Sequence, residues 1–447
     1  MLRWLVVAVV ALAAGDARAQ AQLSPDELAK KNDGGYFTGL PLLNYTTDTG
    51  LGYGGRVYYY FDGDRSDPRF ATSPYLYRVF LQVFASTNGL QYHWLDFDAP
   101  RIADTPYRVR SQLIFERNTA SNYFGLGDQS LGKLAFPAIR EQFTNFDTYS
   151  NALEEVFDGK TYERFNQYDL IRPIWIASIE RLFFHDRIRA LAGFGFSYAK
   201  INDYTNHLVP AVDADGDSIK AVEAPTRLAI DCGYSGQPGP AKVVGCGGGW
   251  DNFFRLGVSY DTRDFEPDPK HGVFLEGALD LGTAVLGSQY DYARAMLSAR
   301  GFWSPLPQNI VFAGRAVMEY ETSGTPFFSM DTIPFTDDPR TGLGGNRTLR
   351  GYRQDRFVGP VSTLLNGEVR WTWGHAKAWG QKFAFFLVPF VEAGRVYDHL
   401  AELTYRDWKP AYGGAVRVAW NLATIISVDY GFSPEDNDFY VNFNHMF

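Results

Sequence analysis

The sequence predicts an all-β fold: a transmembrane antiparallel β-barrel of sixteen strands. Three observations carry that expectation. The 447 residues are 45% hydrophobic and 16% aromatic, yet mean hydropathy is slightly negative at -0.23, which fits neither disorder nor a bundle of apolar membrane helices. Gly (44), Tyr (27) and Phe (35) far outnumber Met (5), a balance that favours strands and tight turns. Segments of alternating apolar and polar residues, separated by turn clusters, follow one another along nearly the whole chain.

The first residues stand apart. Arg3, the apolar run from Trp4 to Ala14 and the pattern Ala17-Arg18-Ala19 read as a secretory signal peptide over residues 1–19, cut before Gln20. Residues 20–36 are then a short periplasmic segment, in which Ser24 to Lys31 suits one or two capped helical turns, and 37–447 form the barrel. Beyond the leader the longest apolar run, Phe383 to Val391, is too short for a membrane helix. In an exported chain Cys232 and Cys246 are the only candidates for an internal disulfide, although their spacing would equally suit two free thiols.

Strands are expected near 37–45, 50–61, 74–86, 89–98, 106–117, 161–181, 187–201, 250–263, 272–284, 289–303, 309–322, 362–374, 383–397, 410–420, 423–432 and 437–447. In the second, Leu51, Tyr53, Val57, Tyr59 and Phe61 share one face, against Gly52, Gly54, Arg56 and Tyr58. In the eighth, Trp250, Phe254, Leu256, Val258 and Tyr260 oppose Asp251, Arg255, Ser259, Asp261 and Arg263. A soluble sandwich would fill its apolar face with Val, Ile and Leu; here Tyr and Trp gather towards strand ends, as a membrane girdle requires.

Loop lengths test the count. An even number of strands returns both ends to one side, and only connections after odd strands face outwards and run long. The three longest, 118–160, 202–249 and 323–361, follow strands five, seven and eleven. The last strand places Phe439, Val441, Phe443 and Phe447 on one face, interrupted by His445. A final strand ending on an aromatic residue suits recognition by the outer-membrane barrel-assembly machinery, so Phe443 and Phe447 are assigned as a C-terminal assembly signal.

One loop and two strands narrow the reading. The loop between strands eleven and twelve reads Gly344-Gly345-Asn346-Arg347-Thr348-Leu349-Arg350-Gly351-Tyr352-Arg353-Gln354-Asp355-Arg356-Phe357, strand eight ends Tyr260-Asp261-Thr262-Arg263-Asp264, and strand thirteen carries Phe390-Val391-Glu392-Ala393-Gly394. With these residues the chain resembles the bacterial surface antigen family, the BamA/TamA superfamily of outer-membrane barrels, whose sixth outer loop has an Arg-Gly-aromatic tip. The resemblance implies a lumen loop motif (Arg350, Gly351, Tyr352) docked on a strand motif (Phe390, Glu392, Gly394), with Asp261, Arg263 and Asp264 forming a periplasmic turn motif. The family usually has Asp where this chain has Glu392.

Taken alone Arg350 would read as an exposed loop arginine; with the motifs of strands eight and thirteen beside it, docking is the expectation, and a physical reason for the pairing can be given. An arginine folded into a lumen needs a carboxylate, because an unpaired buried charge is costly. Gly351 permits a tight turn, Tyr352 can wedge the loop against the wall, Gly394 leaves room beside Glu392, and Phe390 can pack on the tip. Asn366, Glu368 and Arg370 share one face of strand twelve.

Other chemistries find little support. The net charge of -9, with no basic stripe, argues against nucleic acid. Asp213-Ala214-Asp215-Gly216-Asp217 imitates the start of a calcium loop but lacks glycine at the sixth position and has Ala224 where the bidentate Glu belongs, so no metal is assigned. Gly50-Leu51-Gly52-Tyr53-Gly54-Gly55 lies within a strand, not before a helix, and is rejected as a nucleotide site. No serine and histidine form a hydrolase pair, no cofactor is implied, and the chain is not read as an enzyme. Asn122 to Gly127 is a turn-rich aromatic segment without legible chemistry.

The functional expectation is an integral outer-membrane barrel that assists insertion or translocation of proteins or lipid. Its partners would be outer-membrane lipid, the assembly machinery during biogenesis, and client membrane proteins. The alternative is a passive channel or structural barrel, against which inward bulk such as Phe80, Phe84 and Phe386 argues. Family members that insert proteins carry periplasmic POTRA domains; the short stretch before residue 37 resembles the members without them.

Overall fold

The fold was analysed in a computed structural model, which describes residues 31–447 apart from 47–48, 72, 74, 185–186, 213–215, 234–242, 265, 267, 307–308, 334–339, 379–380, 421–423 and 444. Residues 1–30, on which the expected signal peptide and most of the expected periplasmic segment fall, lie outside the described residues.

Sixteen antiparallel strands form the wall: β1 (Gly35–Thr46), β2 (Gly50–Phe61), β3 (Tyr77–Ser86), β4 (Gln91–Ala99), β5 (Tyr107–Asn122), β6 (Gln167–Phe183), β7 (Ile188–Asn202), β8 (Phe253–Asp261), β9 (Gly272–Gly282), β10 (Tyr292–Leu306), β11 (Ile310–Glu321), β12 (Val361–Ala378), β13 (Gln381–Tyr397), β14 (Lys409–Trp420), β15 (Thr424–Phe432) and β16 (Asn437–Phe443). Each pairs with its sequence neighbours. The short strand Gly249–Trp250 continues β8 up the edge of β7. β1 and β16 lie side by side, but among the described residues no backbone ladder joins them.

Alternation fixes which way each side chain points. Leu51, Tyr53 and Val57 on β2, Leu81 and Val83 on β3, and Leu256 and Val258 on β8 all face outwards and are exposed. Such a surface is stable only against hydrocarbon. Inward positions carry charge, paired across neighbouring strands: Arg108–Asp98 at 2.7 Å, Arg172–Glu116 at 2.9 Å, Arg255–Asp280 at 2.7 Å and Arg300–Glu276 at 2.6 Å. All of these but the half-buried Glu116 are buried, so each ion needs its partner. No helix among the described residues is long and apolar enough to cross a membrane.

The long connections, expected as loops, fold into a cap over one mouth. After β5, helix α1 (Phe146–Glu154), capped by Asn145, packs Tyr149 and Leu153 against Phe124, Leu134, Phe136, Phe143 and Phe165. After β7, a hairpin of Leu208–Val212 and Ser218–Glu223 joins Lys160–Thr161 as a small sheet. Helix α2 (Arg227–Cys232) follows, and Cys232 is disulfide-bonded to Cys246. The connection after β11 carries helix α3 (Phe327–Met330), whose Phe327 and Phe328 sink among Tyr123, Tyr168 and Leu228.

Boundaries differ from the sequence reading in two instructive places. β5 runs to Asn122 through a register shift between Asn118 and Ser121, and this irregularity breaks the alternation that would have revealed it. β16 stops at Phe443, and His445, Met446 and Phe447 turn into the lumen. Phe447 packs with Phe302, Val311, Ala313 and Met446 on the far wall instead of sharing the outer face of Phe439. The turn brings the Phe447 carbonyl oxygen to Arg370 Nη2 at 2.7 Å and His445 Nδ1 to Arg417 Nη1 at 2.7 Å, so the tail supplies acceptors to buried cations.

Candidate functional site

The connection from β11 to β12 descends into the lumen, and its tip is Arg350, fully buried. Glu392 of β13 accepts three bonds from it: the main-chain N at 2.6 Å, Nε at 2.9 Å and Nη2 at 2.7 Å. Nη1 donates to Asp429 of β15 at 2.8 Å and Nη2 to Glu368 of β12 at 3.2 Å. The guanidinium lies 3.3 Å from the centre of the Phe390 ring, a cation–π contact from the same strand as Glu392.

Glu368 is the hub. It accepts from Arg417 at 2.6 and 2.9 Å and from Arg370 at 3.0 Å, besides Arg350. Three arginines (Arg350, Arg370, Arg417) thus meet three carboxylates (Glu368, Glu392, Asp429), all essentially buried and in charge balance. Asn366 Nδ2 donates to Glu392 at 3.1 Å and to the Thr348 carbonyl at 2.8 Å. From Arg417 the chain of contacts runs on to His445 and then, at 3.0 Å, to Asp268 in the turn after β8.

Gly351 adopts φ +95°, a left-handed conformation that favours glycine. Its N–H donates to Tyr440 Oη at 3.1 Å and its carbonyl accepts from Ser433 Oγ at 2.7 Å, so the tip rests on the last hairpin. Tyr352 is buried edge-on to Phe357 at 5.0 Å. The space at Gly394 is taken by Leu343 and Leu349 of the loop, not by the Glu392 carboxylate. In the turn after β8, Asp261 accepts from the main chain of Arg263 at 3.0 Å, from its guanidinium at 2.9 and 2.7 Å, and from Arg189 of β7 at 3.1 Å. Asp264 accepts from the main-chain N–H groups of Lys270 and His271. Phe443 is the last residue of β16, with its side chain outside the described residues, and Phe447 lies in the lumen.

Sequence reasoning missed Asp429, Arg417 and Tyr440. Their signal was present: charged or hydroxylated residues at inward positions of otherwise apolar strands. It also missed that Asn122 to Gly127 anchors the cap to the lumen loop. Asn122 Nδ2 donates to the Gln354 carbonyl at 3.0 Å, Gly127 N–H to that of Val358 at 2.8 Å, and Arg356 Nη2 to that of Gly132 at 2.8 Å. Asp213 to Asp215 lie outside the described residues. Among the described residues one carboxylate group, Asp128, Asp398 and Glu402 on the outer surface, brings its oxygens within 4.8 Å of one another, and all three are exposed.

Comparison with known proteins bears on the family and the fold. Residues 143–446 match the Omp85 superfamily domain. The chain belongs to the Omp85 superfamily. As an Omp85 chain it is a BamA-like outer-membrane β-barrel, and its loop tip and strand motifs fall within the matched region. Residues 16–76 match a domain of unknown function (DUF5982), a stretch that includes β1 and β2. No curated protein matches the sequence. Among solved structures the barrel is similar to BamA from Haemophilus ducreyi lacking POTRA domains 1–3, with TM-score 0.50 and 12% identity over 93% of this chain and 70% of that one. It is also similar to CdiB from Escherichia coli, with TM-score 0.51 and 9% identity over 91% of this chain and 62% of the other, so it spans under two thirds of that protein. At such identities the likeness is one of fold.

Proposed function

We propose that this Omp85 barrel assists insertion or translocation of client proteins or lipid at the outer membrane, using the junction of β1 and β16 as a lateral opening. The observation that carries this reading is the contrast between that junction and the lumen. Every other strand pair is laddered, whereas β1 and β16 are neighbours without a ladder among the described residues. Meanwhile the axial route is obstructed by the loop held at Arg350, with the Phe447 tail below it and the cap above. Pro41, which has no N–H to donate, sits within β1, and with no ladder among the described residues the facing edges of β1 and β16 are where an incoming strand would pair. Lipid, the assembly machinery that reads an aromatic C-terminal strand, and client barrels are the partners this reading implies.

Reconstitution of the purified barrel in liposomes tests it, scoring insertion of a client barrel and ion conductance in the same preparation. Insertion without steady conductance is expected. Steady conductance without insertion would replace this reading with that of a passive channel.

A further inference from the structure

Across β5 and β6, the residues that face lipid form a ladder with charge only near its two ends. Tyr107 pairs with Arg181 at one end and Arg117 with Ile171 at the other. The outward rows between them are Val109–Ile179, Ser111–Ala177, Leu113–Trp175 and Phe115–Pro173, with no ionisable group. Ten residues of β5 separate the end rows. At about 3.4 Å per residue and a tilt of about 40°, the rows stand about 26 Å apart. The apolar band of an outer-membrane barrel is about 25 Å tall. The two arginines therefore stand at the two headgroup planes.

The ends are not equivalent. Arg117 lies 3.8 Å from Asp169, so its charge is already shared. Arg181, exposed at the end where β6 turns into β7, has its guanidinium 5.8 Å from the Tyr107 ring and 5.0 Å from the Phe183 ring. Among the described residues no carboxylate pairs with it, and its neighbour Glu180 turns inward to Arg110 at 3.6 Å. By loop parity this end faces the periplasm. Two aromatic rings flank the cation, and among the described residues its N–H groups meet no carboxylate, an arrangement suited to a bidentate phosphate and not reproduced by an ammonium.

We propose that Arg181, stacked between Tyr107 and Phe183, is a binding site for the headgroup phosphate of a phospholipid in the periplasmic leaflet. The site holds one lipid against the β5–β6 wall, away from the β1–β16 junction, and fixes the height of the barrel in the bilayer. The stacking settles the guanidinium before the lipid arrives, so little side-chain freedom is lost on binding.

Delipidated full-length protein in detergent micelles, titrated with phosphatidylglycerol or with diacylglycerol and read by native mass spectrometry, tests the proposal. The wild type is expected to retain phosphatidylglycerol and to release diacylglycerol, which has the same chains and no phosphate. Arg181→Ala is expected to weaken retention by about tenfold, the loss of a charge-assisted bidentate contact. Arg181→Lys should fall between them, and Tyr107→Leu should lose less than Arg181→Ala. Heat-modified gel mobility certifies that each variant is folded, and Arg117→Ala is the matched control. Equal retention by wild type and Arg181→Ala, equal loss in Arg117→Ala, or retention of diacylglycerol as strong as that of phosphatidylglycerol would overturn the assignment.

Discussion

Gly351 and Gly431 meet backbone to backbone: a Cβ on Gly351 would lie 2.9 Å from the Gly431 carbonyl carbon, and one on Gly431 would lie 2.7 Å from the Gly351 nitrogen. The loop tip reaches Glu392 and Asp429 only because neither residue has a side chain. Gly431→Ala tests the close approach alone and is expected to cost about 1–3 kcal/mol, the usual range for overpacking. Gly351→Ala adds the strain of a positive φ and should cost more. Chemical unfolding in micelles gives both values, and two variants within about 0.5 kcal/mol of wild type would show that the loop is not seated there.

Removing Arg350 leaves three carboxylates facing two arginines. Arg350→Ala is expected to destabilise the barrel by about 3–5 kcal/mol, as for one partner lost from a buried pair. The exchange Arg350→Glu with Glu392→Arg restores the sum of charges but sets the new Glu beside Glu368 and Asp429, so only part of the loss should return. Wild-type heat-modified mobility and wild-type function in Arg350→Ala would remove the docked loop from the account.

In the cap sheet Glu223 is buried, and its Oε1 finds no hydrogen-bond partner among the described residues. Burial pushes its carboxyl up to about 7 against an ordinary value of 4.5, with Glu163 adding repulsion and the Arg164 N–H opposing the rise. The folded sheet then binds a proton that the opened sheet releases between these values, so its stability is full below about pH 4.5 and falls as pH rises towards 7. Hydrogen exchange at Val222 and Ala224 should quicken over that interval beyond the intrinsic base catalysis. Glu223→Gln should abolish the excess; an unchanged pH profile in that variant would assign the effect elsewhere.

The disulfide acts on the lumen loop through one main-chain contact: the Phe327 N–H donates to the Val244 carbonyl at 2.9 Å, two residues before Cys246. Replacing both cysteines by Ser should cost about 3 kcal/mol for a ring of this size. The loss should register locally, as faster exchange of the Phe327 amide than of amides in β13. Uniform acceleration across the barrel would mean that the clip is not local.

The wall of the barrel was legible because hydrocarbon outside and ion pairs inside impose a period of two, and loop parity then checks the count. The cap was not, since Lys160–Thr161 is too short to show a period and α1 is nine residues within a long connection. The inward turn after Phe443 was hidden for a different reason: Phe447 keeps the parity of Phe439 and Val441, so alternation continues the strand. What overrides it is the demand of Arg370 and Arg417 for acceptors, and the one visible warning was His445 breaking the apolar face. At the loop tip, Arg350 and Glu392 could be paired by charge alone. The roles of Glu368 and Asp429 depend on register across four strands, which one sequence does not reveal.

The balanced set of six buried charges ties the tip to β12, β13, β14, β15 and, through His445, to the tail. None of these parts can withdraw alone without stranding a charge in the others. Displacing the loop tip therefore disturbs four strands of the wall and the tail at once, so the plug and that side of the wall behave as one mechanical part.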